Sequence, residues 1–132
     1  MTIKLVSDRQ YELTAIVPFT LADFGASGVA ENAVELPSDA IVTGGDLVID
    51  VAFDSVTTDA IAVGDTDSVA RYVAAADAKV VASTAIVPTG IQLGAGKYVT
   101  LQWTGVGGGT TTGAGRVILK YIRQSRSNEN QG

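Results

Sequence analysis

Histidine and cysteine are both absent from the 132 residues, and each absence closes a class of chemistry. Without cysteine there is no disulfide, no thiolate nucleophile and no thiolate metal site. Without histidine the usual general base and the commonest metal ligand are gone, which excludes Ser-His-Asp and Cys-His catalysis. Positive charge is also scarce: Lys and Arg number 9 against 14 Asp and Glu, for a net charge of −5. Attraction to a nucleic-acid backbone is therefore not the expected role. No stretch reaches the ~18 uninterrupted apolar residues of a membrane-spanning helix. Residues 1–9 carry charge at both ends of a short apolar patch and lack the core of a secretory signal, so folding in a cytoplasm is expected.

What is present is a glycine-punctuated, strand-forming chain. Hydrophobic residues make up 46% with 15 glycines, too apolar for a disordered chain and without a collagen period. Leu47, Ile49, Val51 and Phe53 alternate with Asp46, Val48, Asp50, Ala52 and Asp54, the period-two pattern of a half-buried strand. Tyr98–Trp103 repeats it with Val99, Leu101 and Trp103 inward, and 116–123 sets Arg116 and Lys120 opposite Val117, Leu119 and Tyr121. Shorter strands are expected at 11–17, ending before Pro18, and at 33–36, 40–43, 60–63 and 80–87. Gly44-Gly45 reads as a bulge feeding the long strand, and Ser68–Asp77 as a turn of helix or a loop. The Gly/Thr run 105–115 reads as a mobile hairpin tip. Turn chemistry every ~8–12 residues predicts a single-domain, all-β antiparallel β-sandwich, jelly-roll-like or a small barrel, with at most one short helical turn. The expected layout is an N-terminal arm or first strand at 1–9, a sandwich at 10–123 and a polar tail at 124–132.

Few residues invite a chemical reading. Asp46, Asp50 and Asp54 are spaced about 13–14 Å apart along a strand, too far for a glycosidase pair, and read as a solvated face. Asp59, Asp65 and Asp67 offer oxygen ligands but lack the calcium-loop pattern. Gly105–Gly109 lacks the Lys-Ser/Thr of a phosphate loop. The expectation is no catalytic residue, no metal, no cofactor and no enzyme; function falls to binding or assembly.

The run Leu36-Pro37-Ser38-Asp39-Ala40-Ile41-Val42-Thr43-Gly44-Gly45-Asp46-Leu47-Val48-Ile49 resembles the central signature of small proteins encoded beside the major capsid gene of tailed bacteriophages. Ala62–Asp65, Ala70–Val73 and Gly113–Tyr121 are similar to the same group, so the resemblance spans about residues 33–123. It implies a decoration (cement) protein: a sandwich on the outside of an assembled capsid, bridging subunits of the major capsid protein, often as a homotrimer. It also implies synthesis in the host cytoplasm and residence on the virion surface. On that reading Val48, Ala52 and Ile118, apolar residues on otherwise wet faces, are candidate interface residues. Arg116, Lys120 and Arg123, with Arg126, form a basic C-terminal bias suited to an acidic partner surface. Ile3, Leu5 and Val6 are candidates for strand addition to a neighbouring sheet edge. A carbohydrate- or receptor-binding head or fibre module is the alternative, weakened by the shortage of aromatic rings. A hydrolase using carboxylates alone is a third reading.

Overall fold

The alternation at 98–103 becomes a strand whose inward residues Val99, Leu101 and Trp103 are all buried, and the one at 116–121 does the same with Val117 and Leu119. The computed structural model describes residues 11–123; the expected arm and tail, with Ile3, Leu5, Val6 and Arg126, lie outside the described residues. In chain order the strands are β1 (Leu13–Thr20), β2 (Val29–Glu35), β3 (Ala40–Val51), β4 (Thr58–Asp65), β5 (Val73–Asp77), β6 (Ser83–Ala85), β7 (Gln92–Leu93), β8 (Tyr98–Val106) and β9 (Ala114–Arg123). One 3-10 turn, Leu21–Asp23, follows β1.

The strands form two antiparallel sheets. The first runs β1-β9-β3-β6, with β7 on the same edge of β3 as β6; the second runs β2-β8-β4-β5. Most consecutive strands change sheet, so the chain laces the two layers together and only β4 and β5 are neighbours in both sequence and space. Leu47, Ile49, Val117 and Leu119 from the first sheet meet Ile61, Val63, Val99 and Leu101 from the second in one core. Burying each such side chain is worth about 1.5–3 kcal/mol. Toward one end the core becomes aromatic: Phe24 lies 5.6 Å from Phe19 and 6.3 Å from Trp103, and Phe53 lies 6.2 Å from Trp103.

β3 is twelve residues long because Gly44-Gly45 absorbs a register shift midway, as expected of a bulge. Gly45 has φ 132°, and a Cβ there would fall 1.9 Å from the Ile118 carbonyl oxygen, so no other residue fits this crossing of β9.

Five expectations need correction. Val51 is 48% exposed rather than inward, because a second register shift between Ile49 and Val51 turns it off the core face; Phe53 returns to the core only after β3 has ended. β1 continues through Pro18, which pairs with Arg116; β1 is an edge strand, where a missing N–H is tolerated. Only Ser68–Tyr72 of the alanine-rich segment is a turn, while Val73–Asp77 is β5, held by pairing with β4 that outweighs alanine's helix preference. Of 80–87 only Ser83–Ala85 forms a strand. The Gly/Thr run is a crossover between sheets rather than a hairpin, since β8 and β9 belong to different layers.

Candidate functional site

Strand pairing brings four of the predicted interface residues to one surface, the outer face of the first sheet. Val48 on β3 is the direct cross-strand partner of Arg116 on β9, and Arg116 faces Pro18 on β1. One row along, Ile118 lies between Ile16 and Asp46; the next row is Thr14, Lys120 and Gly44. The face therefore mixes aliphatic side chains with both signs of charge. Arg116 approaches Asp50 at 3.9 Å with both side chains about half exposed, an ion pair worth little in water. Ile16 is 63% exposed, an aliphatic residue left in solvent beside Ile118. Sequence reading did not single it out, although it shares the parity of Glu12 and Thr14 opposite Leu13, Ala15 and Val17.

Two predicted residues fall elsewhere. Ala52 lies past the end of β3, where its carbonyl accepts a hydrogen bond from the Thr112 hydroxyl at 3.2 Å. Arg123 has the parity of Leu119 and Tyr121, so it leaves the outer face; its Nε donates to the Ser38 carbonyl at 3.1 Å. Ile3, Leu5 and Val6 are outside the described residues.

The carboxylates are committed to structure. Asp59 is buried and accepts three hydrogen bonds: Ser55 N–H at 2.9 Å, Ser55 Oγ at 2.6 Å and Trp103 Nε1 at 2.8 Å. Asp65 is fully buried and accepts the Asp67 and Ser68 N–H groups and the Tyr72 hydroxyl, each at 3.0 Å, and forms an ion pair with Arg71 Nε at 2.6 Å. Burial, followed by the negative charge of Asp65, pushes the Tyr72 hydroxyl well above the ordinary tyrosine range. These bonds fix the turn between β4 and β5. Among the described residues no three His, Cys, Asp or Glu side chains gather to hold a metal.

Asp54 anchors the Gly/Thr crossover. It accepts the Thr111 N–H and hydroxyl, both at 2.6 Å, and the Thr112 N–H at 3.0 Å, while the Ser55 and Thr110 hydroxyls touch nearby. The Thr111 hydroxyl, followed by the two amides, holds the carboxyl down to about 2. A general acid needs the opposite shift. The expected mobile tip is thus pinned at its C-terminal half, where Gly113, φ 155°, lies flat against the Phe53 ring.

No family model matches the sequence, and no curated protein matches it. Three solved structures match in three dimensions. A chain of the cyanophage Pam1 capsid asymmetric unit superposes with TM-score 0.64 at 21% identity, covering 93% of this chain and 91% of that one. A chain of the Ralstonia phage GP4 capsid gives TM-score 0.67 at 17% identity, over 95% and 93%. A chain of the acid-stable capsid of Helicobacter pylori bacteriophage KHP30 gives 0.59 at 16%, over 86% and 93%. The chain shares its fold with these three phage-capsid chains.

Proposed function

We propose that this chain is a structural, non-enzymatic protein of a phage virion that seats on the outside of the assembled capsid and bridges neighbouring subunits. The observation that carries the reading is the match of nearly the whole fold to chains from three phage capsids. The sequence resemblance over residues 33–123 supports the finer reading, a decoration protein. The outer face of the first sheet is the docking surface in this account. Ile16, Val48 and Ile118 supply apolar area, Arg116 and Lys120 give orientation against an acidic partner, and Ala52 and Arg123 flank it. The protein self-associates, as a homotrimer matched to the local three-fold symmetry of an icosahedral lattice.

Binding to the assembled shell alone stabilises that shell by mass action, by about 2.7 kcal/mol per site at a hundredfold excess over Kd. Residues 1–6 contribute a strand to a neighbouring edge, and residues 125–132 contribute nothing. The test is co-sedimentation of the full chain with assembled shells and, separately, with unassembled capsid subunits. Retention by shells only is the expected result; equal binding to both, or to neither, overturns the reading. The glycan-binding alternative loses its tryptophan: Trp103 is buried and bonded to Asp59, so its ring is unavailable for stacking on a sugar.

A further inference from the structure

The two long sides of the sandwich differ. On one, Ala78 ties β4 to the segment that follows β3, donating to the Asp59 carbonyl at 3.0 Å and accepting from Phe53 N–H at 2.9 Å. On the other, β1 and β2 are edge strands among the described residues, and between them lies a cleft of about 310 Å³. Its floor is Phe19, Phe24 and Leu101, its wall includes Ala33, and Asp23 and Glu31 add carboxylates. Pro18 removes a donor from β1, and a register shift between Asn32 and Val34 interrupts β2. Neither edge offers an unbroken ladder, so whole-edge stacking is blocked and a short occupant held by its side chains is favoured.

We propose that this cleft receives residues 3–6 of a second copy of the same chain. Bound as a strand, Ile3 and Leu5 would alternate with Lys4 and set two aliphatic groups about 6.6 Å apart on one face. Lys4, on a long flexible stem, complements the acidic lining. A second copy fits better than the chain's own end. The Glu12 carboxylate accepts from the Thr43 hydroxyl on β3, two strands inside the edge strand β1, and the cleft sits at the far end of β1. Each copy then gives one arm and receives one, and the trimer proposed above is the ring in which such a head-to-tail contact closes. The inference rests on the self-association proposed above and is independent of the capsid.

The absence of cysteine makes the test clean. Full-length Leu5→Cys and full-length Ala33→Cys chains are mixed in a thiol redox buffer, with Glu31→Cys as a second acceptor and Trp103 fluorescence confirming that each folds. The expected result is a disulfide-linked pair at least tenfold more abundant in the mixture than in either variant alone. Lys4→Glu should cut that yield at least fivefold, and adding Glu31→Lys should restore it. A link that forms only within one chain of the Leu5→Cys/Ala33→Cys double variant, or no link at either acceptor, overturns the inference. Light scattering on the same samples separates the two claims: a trimer without the link leaves the self-association standing and removes the arm from it.

Discussion

Single residues decide most of what holds this fold. Asp59 serves three donors at once, and its Trp103 partner lies 44 positions away. Asp59→Ala would strand three buried donors and should cost about 2–4 kcal/mol in denaturant unfolding, read by the fluorescence of the lone tryptophan. A loss under about 0.5 kcal/mol, the range of an ordinary surface change, would contradict the assignment. Asp54 acts differently, being exposed. Its folded pKa of about 2 is below the ordinary aspartate value of 3.8, so its contribution is present above the higher value and is lost as pH falls through the lower one. Amide-exchange protection at Thr111 and Thr112 should be flat from neutral pH down to about 4 and then fall toward pH 2, a fall that Asp54→Asn abolishes by removing the clasp at every pH. Neither role was legible in the sequence. Asp59 and Asp54 read as turn or surface acids because Trp103, Thr111 and Thr112 lie far along the chain.

At the scale of elements, period-two alternation located β3, β8 and β9 because strands with one buried face must alternate. It failed where the register slips. The shift after Ile49 reversed Val51, and nothing in the residue types marks it. The Gly44-Gly45 shift was marked, since only glycine tolerates that crossing. Gly45→Ala should therefore destabilise by about 3 kcal/mol or more, combining a positive φ with a clash against backbone. A thermal shift indistinguishable from wild type would show that β9 yields there. The Gly/Thr crossover was misread because two strong strands beside a glycine run look like a hairpin whether or not they share a sheet.

For the whole molecule, the docking surface was half legible. Val48, Ile118, Arg116 and Lys120 were identifiable as residues, but their meeting on one face depends on β9 lying between β1 and β3, a long-range pairing no local pattern reveals. Ile16 completes that face, and its exposure separates docking from folding. Ile16→Asp should leave unfolding stability within about 0.5 kcal/mol, as for other surface changes. It should weaken retention on assembled shells at least tenfold, about 1.4 kcal/mol. Loss of folding with loss of retention would instead make Ile16 a packing residue. The central claim is that this fold seats on an assembled shell and makes it harder to open. The most direct measurement is the temperature at which shells release their DNA, with and without saturating full-length chain. The account predicts a higher release temperature with the wild-type chain and a clearly smaller increase with Ile16→Asp at the same concentration; identical release temperatures with and without the wild-type chain would contradict it.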